Sequence, residues 1–508
     1  MDKFIYEYDT DNIEYRKVDS LFKAREEIIS AYSKFSEIKS DVTIKIQAFN
    51  RLEKTKQCIE SVLKYTKGID YDLLLIDSGS TDGTFEYFKS IKHDKVRVIR
   101  LSKNVSSSFP LGLIPFTWIS KYMVALANDL IVTENWLSNL IKVAESDEKI
   151  GMVNPISSNV SNLQMYNMKF DNYEDMHLKA AEFNKSDSSK WHERLRLITL
   201  GTLYKKECLS ALGWPHGDYG FVHDFGDDDI TFRVRRAGYK AILAGDTWIH
   251  HNHNIFALED KDPQTFHKSL EIGRLNFQEK YFGIDAWNDA GNYTYMYIDK
   301  NFDMPVDRHN VRILGIDVKC GMPILDVKNL LRKFDVFNVE TSAYTSQSKY
   351  DIDLKTICNG KVVCDRIDYI KNIFINDFFD YIIIDKCINE YADFESTISN
   401  IYSLLKKGGQ MYFKFKNTFN LFTLLELLGH NVGYSEKSQH SKVENFYKLM
   451  KEKDICIEII NREVFSVEKQ VSDYVLNIIK KHSSDNEDEN FILNKLMINN
   501  YWIKITRS

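Results

Sequence analysis

The stretch YDLLLIDSGSTDGT (Tyr71–Thr84) decides the fold, because an unbroken apolar run closes on an acid, Asp77, and on a Gly/Ser turn holding a second acid, Asp82. Such a run without polar alternation reads as a strand covered on both faces, the situation in a parallel sheet flanked by helices. Upstream, VTIKIQAFN (Val42–Asn50) leads into helical spacing over LEKTKQCIESVLKYT (Leu52–Thr66), and downstream VRVIRLS (Val96–Ser102) is a third apolar strand. Strand, helix and strand joined by short connections predict a doubly wound α/β sheet. It is expected to run from residue 41 to 300, after a helical lead over residues 1–40.

In open α/β sheets ligands gather beyond the carboxyl ends of the strands, so the residues closing each strand are candidates. The first strand ends in Ala48, Phe49, Asn50 and Arg51, and the second in Asp77. The turn after Asp77 can turn backbone N–H groups toward a phosphate, whereas Asp82 reads more simply as a turn or helix cap. Further on, LANDLIVTENWL (Leu126–Leu137) closes a strand with Asn128 and the single acid Asp129.

Two more clusters carry chemistry. In HDFGDDDITFRVRRAGYK (His223–Lys240) three consecutive acids, Asp227, Asp228 and Asp229, open an apolar-periodic helix. The helix dipole favours acids there, but three together repel one another, which gives an active-site role an electrostatic rationale; one of the three can be a cap, whereas all three as caps is not expected. In GDTWIHHNHN (Gly245–Asn254) a strand closes on His250, His251 and His253, and imidazoles near carboxylates suit a borderline divalent metal.

The 508 residues predict two or three domains, and a net charge of −6 leaves no global attraction for nucleic acid. No apolar run reaches the roughly 20 residues that cross a bilayer, and a cytoplasmic location is expected. Seven scattered cysteines with no C-x-x-C pair argue against a disulfide framework or zinc site and read as buried thiols.

Taken in order, IQAFNRLEKTKQCIESVLKYT, LLLIDSGSTDGT, LANDLIVTENWL, FGDDDITFRVRRAGYK and WIHHNHNIF resemble the family 2 glycosyltransferases of the GT-A fold, over about half the chain. GRLNFQEKYFG (Gly273–Gly283) resembles the end of that domain. The resemblance implies a nucleotide-sugar donor, a UDP-sugar first, with Asp77 on the base, Ala48 to Arg51 around the nucleoside, and Asn104 and Asn128 beside it. It implies Mn²⁺ or Mg²⁺ held by Asp129 and a histidine, His250 in preference to His251. The family's E-D-x-D pattern falls on Gly226 to Asp229, so Asp227 matches the general base, with Asp228 the alternative. The first acid of the family's D-x-D is Ala127 here, and the family's Asn-x-Gly after the third strand reads KNVSSSFPLG (Lys103–Gly112).

From VRILGID (Val311–Asp317) a second β/α series opens, with the boundary expected between Asp303 and Asn310. FDYIIIDKCINEY (Phe379–Tyr391) and LLKKGGQMYFKFKN (Leu404–Asn417) resemble a class I S-adenosylmethionine-dependent methyltransferase over residues 310–508. If cofactor binds, Gly315, Glu340, Asp365 and Asp385 are the matching positions; Glu340 is read as closing the second strand. The expected activity is therefore an inverting, metal-dependent glycosyltransferase acting on an acceptor hydroxyl, Ser or Thr of a flagellin-like protein or a surface polysaccharide. The competing readings are a bifunctional enzyme that also methylates and a non-catalytic scaffold; a homodimer is also envisaged.

Overall fold

The computed structural model describes residues 4–11, 13–14, 18–33, 40–104, 120–213, 217–218, 220–221, 225–252, 263–291, 298–305, 307–427, 442–482 and 489–508. The chain divides into two compact units, Met1–Asn292 and Tyr293–Ser508.

In the first unit the strands are β1 (Phe4–Tyr8), β2 (Val42–Ala48), β3 (Tyr71–Asp77), β4 (Val96–Leu101), β5 (Tyr122–Ala127), β6 (Leu130–Ile131), β7 (Ile150–Ser157), β8 (Trp191–Glu193), β9 (Thr202–Lys205) and β10 (Lys240–His251). They form one sheet in the order β1-β4-β3-β2-β5-β9-β7-β10-β6, with β8 also on β10. Pairing is parallel from β1 through β5 and antiparallel where β9 enters. As the apolar run predicts, every residue of β3 is buried. Helix Leu52–Tyr65 lays Cys58, Ile59 and Val62 against this sheet. Ile44, Ile46, Leu73 and Leu75 are completely buried, each contributing roughly 1.5–3 kcal/mol.

The lead expected to be helical is only partly so. Helix Val18–Ser33 forms, but Phe4–Tyr8 adds a parallel edge strand in register with Arg97 to Leu101. Its alternating burial suits an edge strand, a period-2 signal too short to stand out from a single sequence.

The second unit carries β11 (Val311–Ile316), β12 (Val339–Thr345), β13 (Val362–Cys364), β14 (Phe379–Ile384), β15 (Leu405–Lys416), β16 (Ile457–Val464) and β17 (Ile498–Thr506). The order is β13-β12-β11-β14-β15-β17-β16, parallel except where β17 pairs with β15 and β16. Residues 301–303 dock on this sheet: Tyr381 Oη donates to Asp303 O (2.8 Å), Tyr412 Oη donates to Asn301 O (3.1 Å), and Phe302 stacks on Tyr381. The compact second unit thus starts ahead of the Asp303 to Asn310 segment, because aromatic hydroxyls on the sheet capture the chain leading into β11.

All seven cysteines are free, yet Cys364 and Cys456 are exposed and Cys358 is half-buried, a correction to the buried-thiol reading.

Candidate active site

The carboxyl end of β2 runs into two consecutive left-handed residues, Asn50 (φ 55°) and Arg51 (φ 62°). Left-handed backbone costs a residue with a side chain of order 1–3 kcal/mol, so neighbours must hold it. They do: Asn50 N–H donates to Ser80 Oγ (2.8 Å), Thr81 N–H to Asn50 Oδ1 (2.9 Å), and Leu52 N–H to Asp82 Oδ2 (2.8 Å). From the other side Asn128 Nδ2 donates to Asn50 O (3.3 Å) and Thr55 Oγ1 (2.9 Å). Asp82 also accepts from Thr84 N–H, which makes it the cap its position suggested. Asn128 thus braces the loop, while Phe49 is exposed and Ala48 buried.

Asp77 is buried at the tip of β3. Ser80 N–H donates to its Oδ1 (3.2 Å), while Oδ2 is buried without a hydrogen bond and lies 3.7 Å from Arg100 Nη1. Burial raises its pKa above the ordinary carboxylate value, with the Ser80 hydrogen bonds opposing. An acceptor left open in this way suits a donor N–H from a ligand. Gly79 (φ 78°) makes the turn possible, since a Cβ there would stand 2.7 Å from Lys103 Cα; this close crossing places exposed Asn104 beside the Asp77 turn. Arg100 was missed in the sequence although it closes a strand, the one signal that could have found it.

Asp129 and His251 are brought together by pairing. β6 runs antiparallel to the end of β10, with His251 opposite Leu130, and Asn252 N–H donates to Asp129 O (2.9 Å). His251 Nε2 then lies 3.7 Å from Asp129 Oδ1, and Arg51 Nη1 lies 3.4 Å from Asp129 Oδ2. His251 Nδ1 is 3.0 Å from Asn159 O, which can only accept, so Nδ1 donates there and Nε2 is the ring nitrogen that faces Asp129. That is the second contact a metal-binding histidine normally makes. Alternation along the strand sends His250 elsewhere: its Nδ1 is 2.8 Å from Ser158 Oγ and its ring packs edge-on to Phe170. Burial lowers its pKa to about 4. The geometry thus reverses the preference for His250. His253 lies outside the described residues.

The three acids at the start of helix Gly226–Arg236 part company. Arg196 grips Asp228 with Nε 2.6 Å from Oδ1 and Nη2 3.4 Å from Oδ2. Asp229 accepts from Tyr281 Oη (2.6 Å) and Lys280 Nζ (2.6 Å). Asp227 has no ion pair among the described residues and accepts a hydrogen bond from Thr199 Oγ1. Burial pushes its pKa up to about 6, the Asp228 charge adds to that, and the Thr199 hydrogen bond opposes it. Thr199 lies two residues before Gly201, where a Cβ would stand 2.8 Å from Ile249 and 3.3 Å from Leu126, so the segment that holds Asp227 runs against β5 and β10. Thr199 and Arg196 sit in RLRLITLGT, which has no motif, and only the fold reveals them.

Among the described residues no cluster of three His, Cys, Asp or Glu side chains could hold a metal. Asp129 and His251 nevertheless fit Mg²⁺ or Mn²⁺ as a two-residue set, because such ions take few protein ligands and complete their shell with substrate phosphates and water.

The second unit does not fit S-adenosylmethionine. Left-handed backbone falls at Asp317 (φ 47°), Lys319 (φ 54°) and Gly321 (φ 100°), two of them bearing side chains where a glycine turn would leave room. The Asp317 carboxylate accepts from Ser346 N–H (2.7 Å), Ser346 Oγ (2.9 Å) and Tyr391 Oη (2.7 Å), tying the segments that follow β11 and β12 to Tyr391. Gly315 lies inside β11, where a Cβ would strike Ile324. Glu340 is the second residue of β12 and pairs with Arg312, so it lies at the amino end, a correction to its reading as a strand-closing acid. The strand instead closes on Thr345, because VETSAYT is extended throughout. Asp385 is bound to Lys414 (2.7 Å), and exposed Asp365 accepts from Arg366 N–H.

Residues 43–197 match the family model described as Glycosyl transferase family 2. No curated protein matches the chain. Among solved structures, the Pyrobaculum calidifontis mannosyltransferase PcManGT in complex with GDP-Man and Mn²⁺ is 15% identical, with 46% of this chain and 65% of that one covered and a TM-score of 0.32. S. aureus TarS 1-349 is 10% identical, at 47% and 65% coverage and a TM-score of 0.33. A Haloferax volcanii complex that contains the Trm112 methyltransferase activator is 10% identical, at 42% and 91% coverage and a TM-score of 0.28. The chain therefore spans 65% of the length of each of the two glycosyltransferase structures. Over residues 43–197 this protein carries a glycosyl transferase family 2 domain, followed by a second Rossmann-like α/β domain.

Proposed function

We infer that the first unit transfers a sugar from a nucleotide-sugar to an acceptor hydroxyl with inversion at the anomeric carbon. The observation that carries this is Asp227, the one acid of its trio outside an ion pair among the described residues, with its carboxyl pushed up to about 6. A carboxylate so tuned accepts a proton at neutral pH. The acceptor hydroxyl gives its proton to Asp227 while its oxygen bonds to the anomeric carbon, and the bond to the diphosphate oxygen breaks with its electron pair leaving on the diphosphate. Asp77 Oδ2 takes an N–H of the base; one open acceptor suits the single imide N–H of uracil, which favours a UDP-sugar. Asp129 and His251 would hold Mn²⁺ or Mg²⁺, which supplies charge to the leaving diphosphate. Asp228 and Asp229 hold the helix in place.

The acceptor in this reading is a Ser or Thr hydroxyl of a flagellin-like protein, against a surface polysaccharide. A screen of nucleotide-sugars for UDP or GDP release, with NMR of the product's anomeric configuration, tests the reaction. A retained configuration, or equal release by wild type and Asp227→Asn, would overturn it. Mass spectrometry of candidate acceptor proteins for an added hexose or N-acetylhexosamine separates the two acceptors.

A further inference from the structure

The metal site has one carboxylate where two are usual, and the residue beside that carboxylate is a cation. Ala127 stands in place of the first acid, and the Arg51 guanidinium touches Asp129 Oδ2 at 3.4 Å. Asp129 and Arg51 together carry no net charge, so the pull on a divalent ion there is weaker than two acids would exert. Arg51 itself is held unusually well. Its left-handed backbone is fixed through Ser80, Asp82 and Asn128 on the neighbouring residues and by Thr55, whose N–H (3.0 Å) and Oγ1 (3.1 Å) donate to Arg51 O. Yet the side chain is 48% exposed and contacts one carboxylate oxygen through a single nitrogen. A guanidinium has five N–H donors in a fork that matches phosphate.

We propose that Arg51 binds the diphosphate of the donor directly and supplies to the leaving group part of the charge that the missing acid and its metal would otherwise provide. This rests on the nucleotide-sugar reading and gives Arg51 a different role from the nucleoside contact expected of its loop. The guanidinium rests on Asp129; with donor bound its remaining N–H groups reach the second phosphate. The strained backbone serves to hold the base of this side chain at the crevice floor. Nucleotide binding should consequently survive removal of divalent ions, and the second phosphate should be felt through Arg51.

Calorimetry of UDP and UMP (and of GDP and GMP in parallel), in EDTA, on wild type, Arg51→Gln and Arg51→Lys tests this. Wild type should bind the diphosphate about tenfold more tightly than the monophosphate, a ratio that falls to near one in Arg51→Gln and is intermediate in Arg51→Lys, with monophosphate affinity unchanged. An unchanged ratio in Arg51→Gln would overturn the inference while leaving the nucleotide site intact. Equal loss of mono- and diphosphate binding would also overturn it, since Arg51 would then only shape the loop. Wild type binding none of the four nucleotides would remove the nucleotide-sugar reading itself, and this inference with it.

Discussion

Thr199 Oγ1 donates its hydrogen bond to Asp227 Oδ1, across 28 residues of sequence, whereas the adjacent Asp228 and Asp229 are taken up by Arg196 and by Lys280 with Tyr281. Asp227→Asn should lower kcat about 10²- to 10⁴-fold with KM for the donor nearly unchanged, as befits loss of a general base. Thr199→Val, which removes the opposing hydrogen bond, should move the acid limb of the kcat/KM profile upward from near pH 6.

The same raised pKa makes a stability prediction. The folded state holds the Asp227 proton more tightly than the unfolded chain, so the stabilisation it gives is present below the ordinary carboxylate range and lost as pH rises through about 6. Asp227→Asn should then be more stable than wild type by about 1–3 kcal/mol at pH 7.5 and no more stable at pH 4. Denaturant melts at the two pH values check it; an equal effect at both would disprove it.

Asp129→Ala and His251→Ala should each abolish the Mn²⁺-dependent part of turnover and weaken Mn²⁺ binding in the presence of UDP. His250→Asn should cost stability through lost packing against Phe170 and leave the Mn²⁺ titration in place. Electron paramagnetic resonance of Mn²⁺ would show which histidine matters. Ala127→Asp should be tolerated and should tighten Mn²⁺.

Asp77→Asn replaces the open Oδ2 acceptor with an amide and should raise the Kd for UDP by about tenfold or more, since a buried donor would be left unmatched. Arg100→Ala should weaken binding less. Equal affinity of Asp77→Asn and wild type would disprove the base contact.

In the second unit, S-adenosylmethionine should give no heat in calorimetry. Asp317→Ala should destabilise by about 2–3 kcal/mol, because Ser346 and Tyr391 lose their acceptor. Measurable cofactor binding by wild type would show that the Asp317 contacts open.

Much of this was local and hence readable. The all-apolar β3, the helix at Leu52, the strand-end positions of Asp77 and Asp129 and the acidic helix start are periodicities and end signals written in neighbouring residues. So was the β/α series of the second unit, though not where β12 ends: Glu340 looked terminal only because the polar residues after it resemble a loop.

What the chain could not show by itself was the choice among equals. Three consecutive acids are chemically alike until Arg196, Lys280 and Tyr281 arrive from elsewhere, and two adjacent histidines differ only in which face of β10 each takes. The sequence determined which residue types stand at the strand ends, because local pattern fixes strands and helices. Only the tertiary structure decided which of them stay available, because burial and ion pairing join residues far apart in the chain and set which carboxylate keeps its proton near pH 6.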